Sequence, residues 1–204
     1  MNEWDQDTTP GLSAERVRQE GARIAAAERG AQMRALLIAF GVGSLICVGL
    51  GVYGRTHEPT FFALNLAGFS SGLAAKAWLA TIAFVLAVVQ LVSALVMYGR
   101  IPVRAPSWIG GLHRWSGRVA VLVTVPVAVH CLYALGFQGG EPRVLVHSLF
   151  GCFFYGAFAA KMLVLRARVP NWTLPVLGGA VFSALTALWL TSSVWFFATS
   201  GLTF

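Results

Sequence analysis

The chain has 204 residues, of which 57% are hydrophobic and only 11% charged, and its mean hydropathy is +0.70. An ordinary soluble domain carries charge on about a quarter of its residues, so that class is excluded. Fifteen Lys and Arg against eight Asp and Glu give a net charge of +7. In a soluble protein that excess points to nucleic acid, but here the basic residues bracket long apolar runs and read as membrane-surface anchors and topology signals.

Residues 1–33 are polar and open on Glu3, Asp5 and Asp7, ahead of Pro10 and Gly11. Ser13 can cap a helix running through Arg34, since Glu15 falls in its first turn and Ala, Arg and Glu dominate the stretch. No apolar leader segment is seen there, and the expectation is a cytoplasmic helix that feeds directly into the first span.

Five uncharged apolar stretches follow. Residues 35–54, 77–99 and 119–140 hold 20, 23 and 22 residues between flanking charges. Residues 144–165 give another 22 if Lys161 is tolerated near the end, and no charge follows Arg168. A bilayer core needs about 20 apolar residues per helix, so each stretch qualifies. Residues 61–75 are apolar but too short, and read as an interfacial segment. In span 1, Gly43, Cys47 and Gly51 recur every four residues as a packing stripe. Cys47, Cys131 and Cys152 lie inside apolar runs and behave as small hydrophobes, with no disulfide or zinc spacing.

With the N-terminus inside, that side holds twelve basic residues, among them Arg100, Arg104, Arg114, Arg118, Lys161, Arg166 and Arg168. The other side holds three, Arg55, Lys76 and Arg143. The positive-inside rule therefore puts the N-terminus in the cytoplasm and the C-terminus outside. Trp108, Trp115 and Trp172 fall at inner span ends, and Trp78 and Trp195 at outer ones. The expected organisation is a cytoplasmic segment (1–33) and an all-α membrane domain of five transmembrane helices (34–204). Its location is the cell membrane, as a multi-pass protein of a bacterial inner membrane.

No Asp or Glu lies within any span, which disfavours a carboxylate-based pump or transporter. Four histidines remain: His57 in the first outer loop, His113 at the inner end of span 3, His130 within span 3 and His147 within span 4. Spans 3 and 4 form a hairpin about Gln138 and Gly139, and His130 and His147 are equidistant from its centre, so they share one depth near the outer surface. Two imidazoles at one depth in lipid need partners for their polar nitrogens. Axial ligation of a heme iron is one solution, and hydrogen bonds to neighbouring helices are the other. Gly151, one turn after His147, lets the backbone approach a flat macrocycle, or packs another helix. Pro126 should kink span 3 four residues before His130 and free the carbonyl of Leu122.

A second heme at the inner end would need ligands about fourteen residues away on the same faces. Those positions hold Ser116 and Lys161, so one heme is expected. His113, Arg114, Arg118 and Lys161 form an inner cationic group, read either as a solvated positive-inside cluster or as a site for propionates or an anionic reductant.

The segments Leu112-His113-Arg114-Trp115-Ser116-Gly117-Arg118, Pro126-Val127-Ala128-Val129-His130-Cys131, Val146-His147-Ser148-Leu149-Phe150-Gly151 and Tyr155-Gly156 resemble the transmembrane b-type cytochromes, in particular the cytochrome b561 and ferric reductase groups. They also resemble small uncharacterised actinobacterial membrane proteins. The resemblance covers about residues 100–168. It implies heme b held by paired histidines in a helical bundle, with His130 and His147 as the axial metal ligands and Gly151, Arg118 and Lys161 as further cofactor-binding residues. It also implies an electron relay to the lipid bilayer's quinone pool, or to an external iron-sulfur or c-type cytochrome partner. The competing reading is a cofactor-free accessory or assembly subunit of a larger membrane complex.

Overall fold

The structure is a computed structural model that describes residues 10–61 and 68–204, with side chains from residue 14 onward. Five helices, each long and apolar enough to cross a bilayer, dominate it: α1 (Pro10–Thr56), α2 (Gly72–Met97), α3 (Ile109–Leu135), α4 (Pro142–Val164) and α5 (Thr173–Ser200). No strand occurs among the described residues. The chain is an all-helical, multi-pass membrane protein. Large apolar side chains such as Leu37, Leu45, Val85 and Leu122 point outward, as lipid-facing positions do.

The expected N-terminal helix and first span are one element. α1 has 47 residues, about 70 Å at 1.5 Å per residue against a hydrocarbon core of about 30 Å. More than half of it therefore projects from the bundle, and residues 14–34 are exposed almost throughout. The helix starts at Pro10, not behind a cap at Ser13. Proline suits the first helical position because its fixed φ is preset and its missing N–H would have had no partner there.

Of the segment 61–75 expected at the interface, residues 62–67 lie outside the described residues. Residues 72–75 belong to α2, because the Ser71 hydroxyl accepts from the Ala74 amide at 3.1 Å and caps the helix there. α3 starts at Ile109, ten residues before the expected span, so His113, Arg114 and Arg118 are all helical. It stops at Leu135, because Gly136 adopts φ +69° and a Cβ there would stand 2.9 Å from the Gly54 carbonyl oxygen.

The ends of α1, α3 and α5 and the starts of α2 and α4 meet at one face, called here the C-terminal face. The Phe137 amide donates to Gly54 O at 2.6 Å, Ser70 N to Phe204 O at 2.8 Å, and Trp78 Nε1 to Thr203 O at 3.0 Å. Around the bundle α1 packs on α4, α4 on α5, α5 on α2 and α2 on α3, and the end of α3 returns to α1. The order is not that of the chain. α3 and α4, consecutive and joined by a short loop, do not pack backbone to backbone and meet through longer side chains such as Tyr155.

The α1–α4 seam is the tightest. Gly43 faces Gly156 so closely that a Cβ on either would come within 2.7 Å of the other's carbonyl oxygen, and Gly51 faces Cys152. The stripe read from the sequence is therefore a packing surface. Lipid offers no hydrophobic drive between helices, so small residues that admit close backbone approach carry this contact. Alanines do the same elsewhere: Ala83, Ala87 and Ala184 surround Phe154 and Leu185 at the centre, and Ala39 and Ala160 meet Val164 and Leu177 toward the opposite face.

Candidate functional site

The gap between α3 and α4 is a cavity of about 300 Å³ in the half of the bundle next to the C-terminal face. That is the lower end of the range for small-molecule sites. All five helices contribute to its wall, through residues such as Leu50, Ala80, Val127 and Leu188. Its floor is at mid-depth, where the Tyr155 hydroxyl of α4 reaches Thr124 of α3, at 2.9 Å to Oγ1 and 3.1 Å to the carbonyl. Polar groups line its end toward the C-terminal face, called here the mouth, beside the α3–α4 loop residues Gly136, Phe137 and Gln138: Lys76, Arg143, His147, Ser148 and Thr191.

His147 and Gly151, one turn apart on α4, both line the cavity. The Nδ1 of His147 lies 3.0 Å from Thr191 Oγ1, and that hydroxyl itself donates to Ala187 O at 2.7 Å. Thr191 has only one proton, so it accepts from His147. The imidazole then carries its proton on Nδ1, and Nε2 meets no hydrogen-bond partner among the described residues. Arg143 donates from Nη1 to the Thr191 carbonyl at 2.7 Å and lies 4.0 Å over the Trp195 ring. Thr191 sits in a π-helical turn, Leu190–Val194, that carries its hydroxyl and carbonyl to His147 and Arg143 together.

His130 opens the other π-helical segment, His130–Leu135. Pro126 has no N–H to give the preceding turn, and the helix re-registers just beyond it. His130 lies five residues inside the end of α3, and His147 five inside the start of α4, so the two share a depth. His130 is 5% exposed and its Nδ1 has no hydrogen-bond partner. It stands behind the cavity wall, next to the lining residue Cys131.

The other sequence candidates are elsewhere. Arg118 is exposed and stacks 5.1 Å over Trp115 on its own helix, and Lys161 is half-buried near the far end of α4; neither lines the cavity. His113 belongs to a polar cluster between α2 and α3. Its Nδ1 lies 2.8 Å from Ser93 Oγ, and Gln90 Nε2 donates to the His113 carbonyl and, at 2.8 Å, to Ser116 Oγ. His57 is stacked between Tyr53 and Tyr133 at ring distances of 5.1 and 4.9 Å, and its Nε2 lies 3.2 Å from Tyr133 O. It ties the end of α1 to the end of α3.

Residues 36–204 match the model of DUF6529, a family of unknown function. The chain belongs to that family. No cytochrome b561 model matches, and neither a curated protein nor a solved structure does. What the site can do thus rests on its own chemistry. Among the described residues no three His, Cys, Asp or Glu side chains converge on one point. A metal held by side chains alone lacks its donor set, whereas a macrocycle that brings four donors asks the protein for one or two.

Lys76, Arg143, Thr191 and Tyr155 had no site role in the sequence reading. Lys76 and Arg143 counted there only as two of the three basic residues on the sparse side. Their position a few residues inside apolar helices, against the positive-inside trend, is the signal that could have marked them.

Proposed function

We propose that the protein is a membrane-bound b-type redox protein that holds one heme in the cavity between α3 and α4. The observation that carries this reading is His147, whose Nδ1–H is engaged by Thr191 while its Nε2 meets no hydrogen-bond partner among the described residues, at the wall of an apolar, lipid-embedded cavity. Axial histidines are held in this way by a partner on the far nitrogen that fixes tautomer and ring orientation. His130, which stands behind the wall, is the second ligand in this reading and would reach the group by turning past Cys131. Its unpartnered buried nitrogen costs about 1–3 kcal/mol, which a bound group would offset. Gly151, with no side chain, lets a flat ring lie against α4.

A bound heme b supplies one-electron exchange. This chain's residues bind and orient it: Thr191 holds the His147 ring, the Tyr155–Thr124 contact closes the floor, and the apolar wall excludes water. With the N-terminus cytoplasmic, as the twelve-to-three distribution of basic residues favours, the cavity faces the outer side of the cell membrane. Electrons would pass there between the quinone pool and an external iron-sulfur or c-type partner. The inner Arg118 and Lys161 would then serve lipid phosphate or an anionic reductant. Protein purified from heme-replete cells should show a Soret band that sharpens on dithionite reduction; a colourless, folded preparation overturns the reading.

One observation favours a second reading. The arm of α1, residues 14–34, is exposed almost throughout, as a docking element of a cofactor-free accessory subunit would be. Stoichiometric co-purification with a partner and no chromophore would support it.

A further inference from the structure

We infer that the cavity mouth is a carboxylate subsite: Lys76 and Arg143 receive the carboxylates of an amphipathic ligand whose apolar body points toward mid-membrane. The inference rests on the heme reading for the ligand's class, but its own basis is the charge distribution of the cavity.

The C-terminal face carries three basic residues after position 34, Arg55, Lys76 and Arg143, and two of them line the cavity. Cations at membrane depth are costly, and are kept where they meet an opposite charge or a functional group. Lys76 has no acid within 4.0 Å among the described residues. Arg143 has only Glu141, at 4.0 Å and on an exposed loop, a pair of small worth. Arg143 is also oriented: the Thr191 carbonyl takes one Nη1 proton and the Trp195 face holds the guanidinium plane, so part of its donor fork is left for a planar acceptor.

Both cations lie in or just past the first turn of their helices, α2 from Gly72 and α4 from Pro142. The two helix N-termini add partial positive charge at the same mouth. Deeper in, the wall is Val127, Leu185 and Leu188, down to the Tyr155 and Thr124 hydroxyls, whose protons are already taken up by Thr124 and the Val121 carbonyl. A ligand is thereby sorted end to end, with acids toward the C-terminal face and hydrocarbon below. For a porphyrin, this turns the propionate edge to the mouth and sets the ring between α3 and α4 beside His147.

The test uses the full chain in detergent and metal-free protoporphyrin IX, which has two carboxylates and no iron, against its dimethyl ester, with binding read by tryptophan quenching. The acid should bind about tenfold more tightly than the ester, a difference of roughly 1.4 kcal/mol. Lys76→Gln should remove most of that preference, and the double variant with Arg143→Gln all of it. Excess phosphatidylglycerol should leave it intact; displacement of the acid by that lipid would assign the cations to lipid phosphate and overturn the inference. Equal affinity for acid and ester, a preference that survives Lys76→Gln and the double variant, or binding of neither porphyrin also overturns it. Because no iron is present, these results are independent of axial ligation. A carboxylate preference without a His147-dependent heme spectrum would sink the heme reading and leave the subsite standing.

Discussion

Two polar centres stand out among the described residues, one toward each face: one is packed between helices and the other borders a cavity. Toward the N-terminal face, His113, Gln90, Ser93 and Ser116 answer one another across the α2–α3 contact, and the packing is tight enough that a Cβ on Gly117 would meet Gln90 Oε1 at 2.9 Å. Toward the C-terminal face, a cavity adjoins His147, His130 keeps an unpartnered Nδ1, and Lys76 has no acid partner among the described residues. A polar group in lipid is costly unless satisfied. Where the partners come from the facing helix and the packing leaves no space, the cluster works as interhelical glue. Where unpaired groups border a space of ligand size, we propose that a ligand supplies the missing partner.

Substitutions on either side can break that comparison. The largest effect outside His147 is expected for His130→Ala, which should abolish the low-spin bands of bound heme; a normal low-spin spectrum would remove His130 as a ligand. Thr191→Val comes next. It leaves the His147 Nδ1–H without its acceptor, and loss of such an outer partner weakens binding about 10–100-fold, measurable by heme titration of the apoprotein. On the opposite side, Ser93→Ala should act on stability alone. It strips His113 Nδ1 of its partner at a cost of about 1–3 kcal/mol, seen as a lower unfolding midpoint in detergent with an unaltered heme spectrum. The smallest effect is expected for deletion of residues 1–30, because the arm of α1 touches neither centre. A properly inserted truncation that loses its spectrum would show that the arm belongs to the core.

The helices were legible because lipid imposes a simple rule: about 20 apolar residues between charges. The stripe Gly43, Cys47, Gly51 was legible for a similar reason, since spacing by four marks one helix face. The equal depth of His130 and His147 followed from the short loop between them. Helix neighbours could not be read in this way. A short loop favours packing of the helices it joins, yet α3 and α4 stand apart, because α1 takes the glycine face of α4 and α2 takes α3. The cavity exists only through that rearrangement. Thr191 stayed hidden since it lies 44 residues from His147 and reaches it from a π-helical turn, which apolar periodicity does not register. The sequence points to Arg118 and Lys161 as the cofactor-binding cations, whereas Lys76 and Arg143 are the ones that line the cavity, a placement that only the arrangement of helices reveals.

The central claim is that the centre bordering the cavity, not the one packed between α2 and α3, holds the cofactor. It is tested most directly by reduced-minus-oxidised absorption spectra of His147→Ala and His113→Ala, purified side by side with the unaltered chain from heme-replete cells. The account predicts that the unaltered protein and His113→Ala give the same reduced b-type bands, and that His147→Ala gives none. Bands that persist in His147→Ala but vanish in His113→Ala would contradict it.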